Sequence, residues 1–219
     1  MIITIDGPAK SGKSRAAELL AFRIGFQLLN TGAMYRATAL ALKERGFHLD
    51  AGDPRYAKGI ADFIEDFHFE MFDGVFLNGR DFTQLVLTPE AGNLASVVGV
   101  VPEVREKLKR EQRRIADSRD VICEGRDQGT SVFPHAEIKF FITASPEARA
   151  ERMAKTMTGT PDLSVLAREI AERDHRDSTR KLDPLKPATD AIIIDTSNQT
   201  AEEVVDIMHG VVSQWRSKG

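Results

Sequence analysis

An α/β fold, built on a doubly wound parallel five-stranded sheet, is predicted by three features of the 219-residue chain. Short apolar runs alternate with longer helical patterns, as expected of parallel strands covered on both faces. The run Ile2-Ile3-Thr4-Ile5 leads into Gly7-Pro8-Ala9-Lys10-Ser11-Gly12-Lys13-Ser14, a strand–loop–helix junction with G-x-x-x-x-G-K-[ST] spacing. Polar segments at Glu124–Thr130 and Asp195–Asn198 follow two other apolar runs, where ligands bind in such sheets.

In chain order, strands are expected at Ile2–Ile5, Phe26–Leu29, Val121–Cys123, Ile138–Thr143 and Ala191–Asp195. Helices are expected at Lys13–Arg23, Ala33–Arg45, Pro102–Ser118, Pro146–Lys155 and Ala201–Ser217. This alternation implies right-handed βαβ units. Two segments break the rhythm. Between Pro54 and Ser96, a helix at Arg55–Phe67 leads into a stretch with two hairpin-turn dipeptides, Asp73-Gly74 and Asn78-Gly79. Their spacing predicts an inserted lobe with a small antiparallel three-stranded meander. Met157–Pro161 reads as a Thr/Gly/Pro turn, and the charged helix after it, to about Thr179, reads as a short helical lid. The expected organisation is a single unit over 1–219: a core of 1–53, 97–155 and 181–219, an insert at about 54–96, and a lid at about 156–180.

With 42% hydrophobic residues the chain can bury a proper core. Its net charge of −3 argues against a nucleic acid polymer as partner. The single cysteine, Cys123, lies in an apolar run and reads as a core side chain. The start MIITIDGP lacks the basic and long apolar regions of a signal peptide, and no run of about 18 apolar residues occurs. A soluble, cytoplasmic protein without a membrane partner is expected, with monomer as the default state.

Residues Gly7 to Ser14 have a physical logic. Backbone N–H groups converge on a phosphate only where no side chain crowds them, hence the glycines. A helix starting near Lys13 aims its positive end at the same anion. Lys13 can reach the β- and γ-phosphates of ATP, and Ser14 can offer its hydroxyl to Mg²⁺. A Gly/Ser turn with an N-cap serine would explain the small residues but has no use for Lys13. The loop therefore predicts a P-loop NTP hydrolase-like core that holds ATP through Gly7, Pro8, Ala9, Lys10, Ser11, Gly12, Lys13, Ser14 and Arg15.

Four clusters accompany it: Asn30–Arg36, Glu124–Thr130, Ser96 with Arg105, and Arg173–Arg180. The last has a bland reading as a solvated helix laced with pairs such as Arg173–Asp177. Against that, Arg173, Arg176 and Arg180 share one face if the helix persists, and Arg is the residue suited to bidentate phosphate contacts. Glu124, at the end of a buried strand beside the loop, is placed for a water-mediated Mg²⁺ contact. Arg126 and Asp127 could instead form a surface salt bridge. His48, His68, His135, His175 and His209 show no metal-ligand spacing. Tyr35 precedes Arg36 in what reads as a turn.

At this point the residues resemble the cytidylate kinases, the type 1 bacterial (d)CMP kinase family among the nucleoside monophosphate kinases. IDGPAKSGKS, NTGAMYRA, TPEAGNLAS, PEVREKLKREQR, EGRDQGTSVFP, ASPEARAER, ERDHRDSTRKLDPLKP and DAIIIDTS occur in family order, essentially end to end. The resemblance implies phosphoryl transfer from ATP to CMP and dCMP in pyrimidine nucleotide metabolism, with the 54–96 insert as part of the NMP-binding lobe. It implies Thr31, Tyr35 and Arg36 at the acceptor nucleotide, Arg36 on its phosphate. It further implies Ser96, Arg105 and Asp127 reading cytosine, Arg126 and Arg180 on phosphate, and Arg173 and Asp177 near the ribose. Lys13, Arg126, Arg173 and Arg180 would be the catalytic cations, and Ser14 and Glu124 the Mg²⁺ ligands.

The resemblance implies a small residue where this chain has Lys10, Thr at Arg15, Asp at Asn30, an apolar residue at Gln128 and a small residue at Asp183, so the chain departs from the family pattern at these five positions. A kinase acting on another NMP or on a small-molecule hydroxyl is the nearest rival, but a hydroxyl acceptor would need a general base and leave the arginines unused. A GTPase would carry N-K-x-D, which is absent, and a pure binding module leaves Lys13, Glu124 and the lid unexplained.

Overall fold

The computed structural model describes residues 1–49, 59–157 and 159–217. The beginning of the expected Arg55–Phe67 helix, part of the insert, and Thr158 of the expected turn lie outside the described residues. In chain order the elements are β1 (Ile2–Asp6), α1 (Lys13–Ile24), β2 (Gln27–Asn30), α2 (Thr31–Glu44) and α3 (Ile60–Glu65). Three two-residue strands follow: β3 (Phe69–Glu70), β4 (Phe76–Leu77) and β5 (Arg80–Asp81). A 3₁₀ turn (Leu85–Leu87) precedes α4 (Pro89–Val98), then come α5 (Pro102–Ala116), β6 (Val121–Gly125) and a π-helical turn (Gln128–Val132). β7 (Ile138–Thr143), α6 (Pro146–Ala154), α7 (Leu163–Thr179), β8 (Ile192–Asp195) and α8 (Ala201–Arg216) complete the chain.

The main sheet has the order β2-β6-β1-β7-β8, with β1 parallel to β6 and β7, and β7 parallel to β8. Non-sequential neighbours of this kind require crossovers, as the alternation of runs implied. The second expected strand starts one residue late for a local reason. Gly25 sits in the left-handed region at φ 72°, and the N–H groups of Gly25 and Phe26 both return to the Ala21 carbonyl. Phe26 is thus spent on ending α1.

The chain forms two compact units, Met1–Leu28 with Arg119–Gly219, and Leu29–Ser118. In the first, Ile3 and Ile5 of β1 join Ile122, Ile138, Phe140, Ile142 and Ile194 in one core. That core packs against Ala16, Ala17 and Leu20 of α1 and Val204, Val205 and Met208 of α8. The alternate side chains of β1, Thr4 and Asp6, are also buried but polar. By the two-residue period of a strand they face the other way. α7 packs along α6 through a small apolar cluster of its own, Ala150, Leu166 and Ile170.

In the second unit, the meander is present as β3-β4-β5, antiparallel throughout. Asn78 and Gly79, at φ 50° and 76°, make the tight turn between β4 and β5. α4 was not expected. Its signals are nevertheless local: Thr88 caps it through the Ala91 N–H, and Pro89 stands in its first turn. Among the described residues, no helix is long and apolar enough to cross a membrane.

Candidate active site

The phosphate-binding loop leaves β1 after Asp6 and enters α1 at Lys13. Gly12 takes the N-cap position at φ 90°, with no side chain capping the helix, so its first N–H groups remain available to an anion. Lys13 is only 4% exposed. Its Nζ donates to the Pro8 carbonyl at 3.0 Å and lies 3.5 Å from Glu124 Oε1. Burial draws the Lys13 pKa down to about 7, with Arg126 and Arg173 pushing the same way and Glu124 opposing. Negative charge arriving beside it would favour its protonated form again. Ser14 and Arg15 are exposed at the start of α1, Arg15 beside Glu18 at 3.5 Å.

Lys10 occupies a left-handed conformation at φ 60°, a backbone that glycine adopts without strain. Its Nζ donates to Thr156 Oγ1 at 3.4 Å. As an exposed cation it adds positive potential to the loop. Lys10→Gly is expected to raise the KM for ATP about two- to threefold at low salt, an effect that high salt abolishes. It should not lower the melting temperature, because glycine adopts this backbone freely. Steady-state kinetics at two ionic strengths check this; an unchanged KM at low salt would remove Lys10 from nucleotide binding.

Glu124, 5% exposed, lies near the end of β6. Beyond it, Arg126 donates from Nε to Asp177 at 3.1 Å and from Nη1 to the Gly125 carbonyl at 3.2 Å. Asp127 is 3% exposed, and Arg180 Nη2 lies 3.7 Å from its Oδ1. Asp177, near the end of α7, and Arg180, just beyond it, therefore reach the β6 loop through two ion pairs. Two expectations change here. Asp177 engages Arg126, so the helix-surface pair Arg173–Asp177 is not its observed ion pair. The helix also ends at Thr179, and Arg180 is extended at φ −60°, ψ 143°. Arg180 therefore leaves the helical face of Arg173 and Arg176, and its Nε donates to the Asp183 carbonyl at 2.7 Å. Beyond it the Leu185 N–H donates to the Asp177 carbonyl at 2.8 Å, so the chain doubles back on the end of α7. Asp183, at φ 47°, also accepts from Ser131 Oγ at 2.6 Å and so ties this bend to the π-helical turn.

The other expected acceptor residues lie in the second unit. Asn30 caps α2, its side chain accepting the Ala33 N–H at 3.1 Å. Asn for Asp thus preserves the cap, and the helix starts at Thr31. Tyr35 and Arg36 consequently lie within α2, inside the expected Ala33–Arg45 helix rather than in a turn. Arg36 donates to the Val86 carbonyl at 3.3 Å. Arg105 is 1% exposed, donates to the Gly99 carbonyl at 3.1 Å, and stands 5.9 Å from the centre of the Tyr35 ring. A guanidinium this enclosed is costly to keep unless it serves several acceptors. The Ser96 hydroxyl, in α4, is shielded from solvent and has no hydrogen-bond partner among the described residues.

Three further residues brace the site and were not singled out in the sequence. Asp6, at the end of β1, accepts backbone N–H groups from Gln128 and Gly129. Arg149 is buried, donates to the Ala9 carbonyl at 3.4 Å and pairs with Asp174 of α7. Arg152 donates to Thr196 Oγ1 at 3.0 Å, and that hydroxyl donates to the Ser11 carbonyl at 2.8 Å. The available signal was the Arg149–Arg152 spacing, which puts both on one face of α6.

A buried lysine in a glycine loop, beside a strand-end carboxylate and the arginines at the end of α7, defines a nucleotide-dependent phosphotransferase site on a P-loop fold. The cytidylate kinase family profile matches residues 3–214, and the chain belongs to that family. It is 47% identical over 208 residues to the cytidylate kinase of Thermotoga neapolitana, covering 93% of this chain and 92% of the relative. It is 40% identical over 222 residues to that of Ligilactobacillus salivarius, covering 97% and 96%. A crystal structure of an uncharacterized protein from Eubacterium ventriosum shares the fold, with a TM-score of 0.56 at 12% identity over 97% of this chain and 98% of that one.

Proposed function

We propose that the chain transfers the γ-phosphoryl group of ATP to CMP and dCMP, giving ADP with CDP or dCDP, in pyrimidine nucleotide metabolism. The observation that carries phosphoryl transfer is the buried Lys13–Glu124 pair at the mouth of the glycine loop. Membership of the cytidylate kinase family narrows the acceptor to cytidine nucleotides. The second phosphate pKa of a nucleotide monophosphate is about 6, so the attacking oxygen is already anionic and no general base is needed. Catalysis then reduces to in-line positioning and charge neutralisation. Lys13 reaches the transferred phosphoryl group and regains its full proton as the phosphate charge arrives. Arg126, Arg173 and Arg180 neutralise charge from the lid side, with Asp177 and Asp127 holding two of them ready. Arg36 takes the acceptor phosphate, and Thr31 and Tyr35 line the acceptor nucleotide.

The Ser14 hydroxyl and the Glu124 carboxylate are hard oxygen donors at the loop, a set that fits Mg²⁺. When bound with ATP, the ion would supply neutralisation of β- and γ-phosphate charge. Cytosine differs from uracil by an exocyclic amino donor, which the Asp127 carboxylate accepts. Uracil would set an oxygen against that buried carboxylate, which sharpens selectivity. The buried Arg105 and the orphan hydroxyl of Ser96 are suited to the remaining base edges. Water is the competing nucleophile, so the lid must close before transfer.

The test is ADP formation from ATP with CMP, dCMP, UMP, AMP or shikimate supplied separately. Turnover with CMP and dCMP and little with the others is expected; preference for AMP or shikimate would overturn the reading. In Asp127→Asn, kcat/KM for CMP should fall about 10- to 100-fold, the worth of one good base contact. The gap to UMP should narrow with it. Equal losses on both acceptors would mean that Asp127 does not read the base.

A further inference from the structure

Asp6 has no part in the chemistry above, yet it closes β1 at only 3% exposure and uses both of its oxygens. Oδ1 accepts the Gln128 N–H at 2.9 Å, and Oδ2 accepts the Gly129 N–H at 2.8 Å. Those two residues directly follow Arg126 and Asp127. Gly125, just before them, is in register with Asp6 across the β1–β6 pair. The segment is thus held by the sheet on entry and by the carboxylate on exit. From this geometry we infer that Asp6 is a positioning residue, clamping the backbone at Gln128–Gly129 and so fixing where Arg126 and Asp127 stand. The inference rests on the roles proposed for those two residues.

The chemistry requires a carboxylate. An amide of the same shape accepts through one atom only, and its NH₂ would face the second backbone N–H, donor against donor. An ionised carboxylate satisfies both, with charge-assisted bonds. Burial resists that charge and raises the Asp6 pKa to about 7. The two N–H bonds and Arg126 oppose the rise, and Asp127 adds to it. A carboxylate kept in so unfavourable a place serves local geometry at the expense of stability. The turn also has little slack. A Cβ on Gly129 would stand 2.8 Å from Thr4 Oγ1 of β1 and 3.2 Å from Lys139 Cδ of β7, so the backbone lies close against side chains of both strands. A displacement of Gln128 and Gly129 must then pass back along the chain and take Asp127 with it.

The test compares wild type, Asp6→Asn and Asp127→Asn, with ATP as donor and CMP or UMP as acceptor, beside thermal melting. Asp6→Asn is expected to fold and to lose about 10²-fold in kcat/KM for CMP, the cost of a small misplacement of catalytic groups. The KM for ATP should be unchanged, because the glycine loop is untouched. The preference for CMP over UMP should contract as it does in Asp127→Asn. Wild-type kcat, KM for CMP and acceptor preference in Asp6→Asn would overturn the positioning role, whatever its melting temperature. So would failure to obtain Asp6→Asn folded, which assigns Asp6 to the scaffold. Failure of the underlying reading looks different: wild type shows no preference for CMP, or Asp127→Asn leaves that preference intact. The Asp6 role then falls with it.

Discussion

Lys13→Met is expected to lower kcat by on the order of 10²–10³-fold, the loss typical when one group stabilising transition-state charge is removed, while the protein stays folded. Methionine fills a similar volume without the charge, and the folded state does not favour that charge. Burial dominates the depression of the Lys13 pKa from 10.5 to about 7, and Arg126 and Arg173 add to it. The linkage has a definite sign. Between pH 7 and 10.5 the unfolded chain binds more protons at Lys13 than the native state does, so stability contributed through this lysine rises with pH across that window. Below pH 7 the burial penalty is present in full. Lys13→Met should lack this gain in stability on raising the pH, which urea unfolding at several pH values can measure. Nucleotide binding reverses the balance, because phosphate charge favours the protonated amine. At pH 8, calorimetry in buffers of different ionisation enthalpy should therefore detect proton uptake when wild type binds ATP, and less uptake in Lys13→Met. A rate loss below tenfold would mean that Lys13 does not meet the transferred group.

The parts of this site that were legible in the sequence are those set by local chemistry. The glycine loop, its strand and its helix follow from residues within one junction, and β7 runs over Ile138–Thr143 as its apolar run predicts. The Asn78-Gly79 hairpin needs only its own backbone preferences. What was illegible depends on contacts far apart in the chain. Asp6 looks like an ordinary polar residue after a strand, and its two acceptor bonds come from residues 122 and 123 positions away. The bend at Arg180 looks like one more helical turn until Asp127, Asp183 and Ser131 are seen to hold it. Arg149 and Arg152 read as surface charges on an amphipathic helix, yet each reaches the underside of the phosphate loop, Arg149 directly and Arg152 through Thr196. α4 is a milder case. Gly92 and the small residues around it obscure a helix whose cap, Thr88, was readable.

Gly7→Ala should be the most disruptive single-methyl change in the loop, and Gly12→Ala the informative contrast. Gly7 follows β1 at φ 154°, and a Cβ built there would lie 2.0 Å from the Ile142 carbonyl oxygen and 3.0 Å from its carbon. Those are backbone atoms of β7, the neighbour of β1 in the sheet, so no side-chain rotation can relieve the overlap. Either β1 separates from β7 or the loop leaves its path. Overpacking against immovable backbone costs about 3 kcal/mol or more, and in a protein of this size that lowers the melting temperature by about 6–12 °C. Any Gly7→Ala protein that does fold should also bind ATP weakly, because the displaced loop no longer converges its N–H groups on phosphate. Gly12 differs in kind. Its φ of 90° is unfavourable for alanine, but a Cβ there meets only Arg152 Nη1 at 3.6 Å and Thr196 Oγ1 at 3.8 Å. Its cost is conformational, about 1–2 kcal/mol, and the variant should fold. The first glycine of the motif thus provides space and the second provides conformation. Thermal melting of the two variants separates these demands: a Gly7→Ala protein melting as high as Gly12→Ala would show that β7 does not confine the loop.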